Sequence, residues 1–124
     1  MVANQILKIA NKVYPKIRAH YGLGKKEYPQ IEVHKNILVR LTGEPNAEGE
    51  PADAEYDRKE NKLFIYSDYN NSIEDVIRSI IHEYIHYLQS GSWMTRYKNM
   101  GYKYGNHPYE ISAKKAEENW KMFA

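Results

Sequence analysis

Two histidines and a glutamate in the segment IIHEYIHYLQ, residues 80–89, have the residue types and the spacing of a metal-dependent hydrolytic site. His82 and His86 are four residues apart, so on a helix their imidazoles lie one turn apart on one face, within reach of one cation. Zinc binds imidazole nitrogens at about 2.0–2.1 Å, and a catalytic zinc site uses three protein ligands and a water molecule. Glu83 is placed to accept a proton from that water and to pass it to a leaving amine. The motif therefore predicts metal-assisted hydrolysis, most often of peptide bonds.

The helix that carries this motif is the clearest element in the sequence. Apolar residues recur at helical spacing from Ile73 to Leu88 and gather on one face. Ser72 is a good N-cap, Asp75 follows three residues later as in a capping box, and Gly91 is predicted to end the helix. The two histidines of the motif fall on the opposite, polar face. A histidine of the hydrophobic core would not lie there, although an ordinary solvated face would also fit.

The third ligand must be a histidine or a carboxylate, because the chain has no cysteine. Glu110 is the preferred choice. It lies near the start of a last helix predicted from Pro108 to about Met122, on the same face as Ala113, whose small side chain would allow a close approach to the motif helix. A capping role also fits Glu110, since it falls at the third helical position if His107 is the N-cap. His107 itself could be a third ligand or a hydrogen-bond donor in the transition state. The remaining candidates are Glu117 and Glu118.

The pattern of H-E-x-x-H on one helix and a glutamate on a following helix resembles the gluzincin metallopeptidases. The likeness is strongest to very small relatives of the minigluzincin and phage-encoded kind, in which a P-x-E-x-x-A helix start follows, here Pro108, Glu110 and Ala113. The resemblance spans roughly residues 55 to 120. It implies zinc as the cofactor, Glu83 as the catalytic base and acid, and three zinc ligands, namely His82, His86 and Glu110.

The resemblance also implies a zincin-like fold, in which the edge strand of a small mixed sheet lies over the active-site helix. Such an edge strand binds an extended peptide by strand addition, and the candidate here is Lys62–Tyr66. A tyrosine or a histidine would stabilise the oxyanion. The local choices are Tyr102, Tyr104, His107 and Tyr109, of which His107 and Tyr109 are the expected catalytic residues.

The rest of the sequence predicts an α+β architecture for a single domain, residues 1–124. Residues 3–21 have the apolar period of a helix, which Pro15 is expected to kink or split. Residues 31–41 are rich in β-branched types and predict a strand, and residues 54–66 predict a hairpin. Two stretches have no helical or strand period: the acidic, turn-forming residues 42–53 and the aromatic residues 92–106.

Composition narrows the function classes. The net charge is +2 and neither sign forms a long run, so we expect no nucleic-acid partner. No apolar run approaches the roughly 20 residues that span a bilayer, and the first residues lack the features of a signal peptide. We therefore expect a cytoplasmic protein without a membrane partner, unless it is exported by another route. We expect a monomer that acts on a peptide or protein substrate.

The sequence is compatible with three functions. The first is a zinc metallopeptidase. The second is a protein that binds zinc but has weak or no hydrolytic activity and serves as an interaction protein. The third is an α+β binding module in which the motif is accidental. The identity of the metal is a further inference, because two histidines and a carboxylate can also hold iron in oxygenases. The spacing of the two histidines on one helix favours zinc.

Two expectations concern the surroundings of the site. Residues 1–21 could shield the cleft as a built-in inhibitory helix. Tyr84 and Trp120 are expected in the hydrophobic core. Core packing is also the main expectation for Tyr87, Trp93 and Tyr97, and a specificity pocket is the alternative for these three.

Overall fold

The motif helix, α3 (Ile73–Leu88), runs through the hydrophobic core in the computed structural model, which describes residues 1–124. The hydroxyl of Ser72 accepts a hydrogen bond from the backbone N–H of Asp75 at 3.1 Å, which confirms the predicted start of the helix. Six apolar side chains of α3 belong to one cluster of 14 buried residues, and Ile85 and Leu88 pack against that cluster. Because that cluster holds the helix along its apolar face, the polar face of α3 has a fixed position.

The N-terminal helix, α1 (Ala3–Tyr21), covers the predicted residues and continues through Pro15 without a break. Its apolar face, with Ile6, Val13 and Ile17 almost fully buried, packs against α3 and the first strand. The burial of this face stabilises both helices. None of the helices combines the length and the apolar character that are needed to cross a bilayer.

Three short strands form a mixed sheet, β1 (Gln30–His34), β2 (Ala54–Asp57) and β3 (Lys62–Tyr66), in the order β1-β3-β2. β1 is parallel to β3, and β2 pairs with β3 as the predicted antiparallel hairpin. The small mixed sheet and the α+β class are therefore confirmed. The prediction that Lys62–Tyr66 is the edge strand is wrong, because β3 is the central strand. Its sequence KLFIY suits burial on both faces, whereas β2, with sequence AEYD, carries the charges typical of an edge.

The strand predicted for residues 31–41 is wrong in its second half. β1 ends at His34, and residues 37–42 form a short helix, α2 (Ile37–Thr42). The side chain of Asn36 caps this helix by accepting the backbone N–H of Val39 at 2.9 Å, and Gly43 ends it in the left-handed conformation with φ of 73°. These two capping interactions outweigh the β-propensity of the intervening residues.

The C-terminal part differs from the prediction at one boundary. α3 ends at Leu88, and Gly91 is the first residue of a helix that the sequence did not reveal, α4 (Gly91–Asn99). No residue of α4 is buried, which explains why its sequence has no apolar period. The last helix, α5 (Pro108–Ala116), starts where predicted and then tightens into a 3₁₀ turn over Glu117–Met122.

Candidate metal centre

Three side chains from α3 and α5 converge at one point. The Nε2 atoms of His82 and His86 are 3.2 Å apart. One carboxylate oxygen of Glu110 lies 2.5 Å from Nε2 of His82, and the other lies 2.9 Å from Nε2 of His86. One ligand atom of each residue lies within 4.8 Å of the others, so the group can hold a metal ion. The preference for Glu110 among the downstream candidates agrees with this arrangement.

Helix packing brings Glu110 to the two histidines. Ala113, one turn after Glu110, is fully buried, and α5 packs directly against α3. Pro108 occupies the first turn of α5, as predicted, and His107 is its N-cap. The carboxylate of Glu110 is directed at the histidines, so it contributes to the centre and does not serve as a simple helix cap.

Each histidine is also held from the outside. Nδ1 of His82 is 2.7 Å from Oε2 of Glu117, and Nδ1 of His86 is 2.7 Å from Oε1 of Gln89. The amide of Gln89 donates to the carbonyl of Tyr109 at 2.9 Å, and this fixes which of its atoms accepts from His86. With the Nδ1 protons held by these acceptors, both Nε2 atoms face the centre, which is the arrangement found around metal-binding histidines.

These outer partners were not predicted as such. The sequence predicts Glu117 only as an alternative ligand, and it predicts no role for Gln89. Helical spacing is the signal that would have found them. Gln89 follows His86 by three residues, and Glu117 follows Glu110 by seven, about two helical turns.

The three converging side chains are held together by charge. Burial disfavours the charged form of His82, but its hydrogen bonds with Glu110 and Glu117 outweigh burial and raise the pKa of His82 to about 10. Burial alone would raise the pKa of Glu110. The hydrogen bonds from His82 and His86 instead hold that pKa well below its usual range. The raised pKa of His82 favours a charged imidazole paired with the Glu110 carboxylate, and a cation would have to displace the proton between them in order to bind.

Glu83 lies beside the centre and not in it. One of its oxygens accepts the backbone N–H of Tyr56, in the edge strand β2, at 3.0 Å. The other oxygen is 3.9 Å from Nε2 of His82. Only 9% of Glu83 is exposed, and burial raises the pKa of its carboxyl group. The carboxylate is thus fixed next to the three converging side chains.

Arg58 also contributes to the site, and the sequence did not predict this role. It follows β2, and its guanidinium donates to the carbonyl oxygens of His86 at 2.9 Å and Gln89 at 2.8 Å. These carbonyls belong to the last turn of α3, where a cation is favoured by the helix dipole. Arg58 therefore fixes the end of α3 on which His86 and Gln89 lie.

The centre opens into two adjoining cavities of about 640 and 250 Å³. Four residues line both of them: Ala54, Glu83, Tyr104 and Glu110. The two cavities therefore meet at the centre and form one cleft. No residue of α1 lines either cavity, and the apolar face of α1 is buried in the core. The expectation that residues 1–21 shield the cleft is wrong.

The residues predicted to stabilise an oxyanion differ in whether their side chains reach the cleft. His107 lines the smaller cavity, where its Nδ1 accepts the backbone N–H of Tyr109 at 3.1 Å and its Nε2 is 3.3 Å from the carbonyl of Met94. The ring of Tyr109 packs against Tyr97 and His107 and lines neither cavity. The hydroxyl of Tyr104 reaches the centre and donates to Glu110 at 3.0 Å.

The aromatic residues divide into a core group and a surface group. Tyr84 and Tyr87 are buried in the core and Trp120 packs against it, as expected. Trp93 is 42% exposed and stacks with Tyr97 outside the core, so the expectation of core packing is wrong for this pair. Glu118, the last of the candidate ligands, is exposed and outside the converging group.

No protein-family model, no curated protein and no solved structure matches the chain. What the structure shows is the convergence of His82, His86 and Glu110, a group that could hold a metal ion.

Proposed function

We propose that the protein is a zinc-dependent peptidase, in which His82, His86 and Glu110 bind the metal and Glu83 transfers protons. The observation that carries this proposal is the orientation of the two imidazoles. Both Nε2 atoms face the Glu110 carboxylate, and both Nδ1 atoms are held by acceptors outside the centre. A merely solvated helix face has no need of such an arrangement.

The spacing of the two imidazole nitrogens suits zinc, whereas Oε1 of Glu110, 2.5 Å from Nε2 of His82, would have to move away for the metal to enter. Two ligand atoms at about 2.0–2.1 Å from a tetrahedral zinc lie roughly 3.3 Å apart, and the two Nε2 atoms are 3.2 Å apart. Three protein ligands leave one position for water, as in catalytic zinc sites. The cleft on which the centre opens gives a substrate access to that position.

Glu83 is the residue that would move protons. Zinc, when bound, polarises a carbonyl and lowers the pKa of a water molecule to about 7. Glu83 is held by the backbone of Tyr56 with its second oxygen directed to the centre. From there it accepts a proton from water and donates it to the leaving amine. His107 lines the cleft and is the proposed donor to the oxyanion, through an Nε2–H that would have to leave the carbonyl of Met94. Tyr109 lies outside the cleft and takes no role in it.

The edge strand β2 supports a peptide as the substrate. The N–H of Tyr66 donates to the carbonyl of Asp53 at 3.0 Å, so by antiparallel alternation the backbone groups of Ala54 and Tyr56 point away from β3. The N–H of Tyr56 is used by Glu83. The N–H and C=O of Ala54 face the cleft and would pair with the backbone of an extended peptide.

The alternative is a zinc-binding interaction protein without hydrolytic activity, which would share the three ligands. Metal content and hydrolysis should therefore be measured on the same samples. The protein is purified without a metal-binding tag, and zinc is measured per chain by elemental mass spectrometry in the wild type and in His86→Ala and Glu110→Ala. Glu118→Ala is the matched control, because Glu118 is exposed.

We expect about one zinc per chain in the wild type and the control, and much less in the other two variants. An unstructured peptide library then tests hydrolysis. Zinc with cleavage supports the peptidase, and zinc without cleavage supports the alternative. A wild type that takes up no zinc, even when zinc is added in excess, would contradict both.

A further inference from the structure

Tyr104 is held in the cleft by the metal centre and by little else. Its hydroxyl donates to Oε1 of Glu110 at 3.0 Å, and its side chain makes no other hydrogen bond. The residue is 77% exposed and its ring stacks on no other ring. In contrast, the neighbouring ring of Tyr97 contacts the rings of both Tyr102 and Tyr109. Packing therefore does not account for the position of the Tyr104 phenol.

The backbone that carries Tyr104 is well defined. The N–H of Lys103 donates to the side chain of Asn106 at 2.7 Å, and the N–H of Asn106 donates back to the carbonyl of Lys103 at 3.2 Å. This turn leads directly to His107, the N-cap of α5. Tyr104 and Glu110 are thus parts of one continuous hydrogen-bonded segment, from which the phenol reaches the carboxylate.

The two oxygens of Glu110 have different partners. Oε1 accepts from Tyr104 and lies 2.5 Å from His82, whereas Oε2 lies 2.9 Å from His86. A carboxylate can bind a metal through one oxygen or through both. An oxygen that accepts a phenol hydrogen bond has less electron density to give to a cation, so Tyr104 makes the two oxygens of Glu110 unequal.

We propose that Tyr104 is a positioning residue that restricts Glu110 to coordination through one oxygen. This inference rests on the proposed metal centre. Its consequence is that one coordination position stays free at the point where the two cavities meet, because Tyr104 and Glu110 both line that point. Without the phenol, the second oxygen would turn to the metal and fill the position that a water molecule or a substrate needs.

Cobalt(II) is the probe for this inference, because its visible absorption reports the coordination number without any assay of activity. The metal-free protein is titrated with cobalt, as the wild type and as Tyr104→Phe. Tyr102→Phe is the matched control, because Tyr102 is also exposed but packs against Tyr97 and not against a ligand. Tyr104→Leu is a second variant that lacks the hydroxyl. It checks that the effect comes from the loss of the hydroxyl and not from the phenylalanine that replaces tyrosine.

We expect the wild type and Tyr102→Phe to give the same spectrum. Tyr104→Phe and Tyr104→Leu should lose visible absorption, as a higher coordination number requires, and their metal affinity should change by about 10-fold or more, as for other outer-shell substitutions. Spectra and affinities identical to the wild type would overturn the inference and leave the metal centre intact. A wild type that binds no cobalt would overturn the metal centre itself.

Discussion

Nε2 of His82 and Oε1 of Glu110 are separated by 2.5 Å, the shortest distance within the group of three converging side chains. A proton fits between these atoms, and a metal ion must separate them to be bound. A cation that binds here would therefore replace the proton that joins the pair.

The metal-free protein should lose stability as the pH rises from about 6.5 to about 10. His82 has a pKa of about 10 in the folded protein and about 6.5 in an unfolded chain, so its contribution is fully present below pH 6.5 and is lost through this window. The free energy of unfolding, from urea titrations between pH 6 and 9.5 with a chelator present, checks this. His82→Gln should show a flatter profile, and parallel profiles for the two proteins would refute the assignment.

Zinc should stabilise the folded protein. A ligand that binds only the folded state at a thousandfold excess over its Kd adds about 4 kcal/mol, and the converging ligands exist only when α5 packs on α3. Thermal unfolding with and without zinc measures the effect. Glu110→Ala should lose most of the increase in Tm, whereas Glu118→Ala should retain it, and equal increases in both variants would show that zinc binds elsewhere.

Glu117→Ala should weaken zinc binding by about 10- to 100-fold, as expected when the outer partner of a metal-binding histidine is removed. The carboxylate of Glu117 holds Nδ1 of His82 at 2.7 Å, so without it the imidazole can rotate away from the centre. Competition with a chromophoric chelator measures the affinity. An unchanged affinity would mean that the contact with Glu117 does not orient His82.

Glu83→Gln should retain zinc and lose hydrolysis by about 10²- to 10⁴-fold, the usual contribution of a general base. The replacement amide oxygen can still accept the N–H of Tyr56, so the local structure should persist. Initial rates of peptide cleavage at equal zinc content test this. A variant as active as the wild type would contradict the role assigned to Glu83.

The elements predicted well from the sequence are those determined by local signals. Ser72 and the apolar period of α3 are close together in the chain, and they place the two motif histidines correctly. Pro108 likewise marks the start of α5 and, with it, the position of Glu110. In each case the capping residue and the helical period indicate the same element.

The features that were missed depend on contacts between distant segments. Asn36 caps α2 while its amide group also donates to the carbonyl of Ala47 at 2.7 Å, and no local pattern in the β-branched segment reveals this. The central position of β3 depends on its parallel pairing with β1, about 30 residues earlier. Arg58 contributes to the site only because the end of α3 packs beside the hairpin.

The bond between Glu83 and Tyr56 has a consequence for how the site can vary between sequences. The donor is a main-chain amide, so its presence does not depend on which side chain occupies position 56. Any residue except proline would supply the same N–H group. The orientation of the Glu83 carboxylate therefore does not depend on the side chain at position 56, and the Tyr56 ring serves a separate purpose, since it packs against Tyr87 and the core.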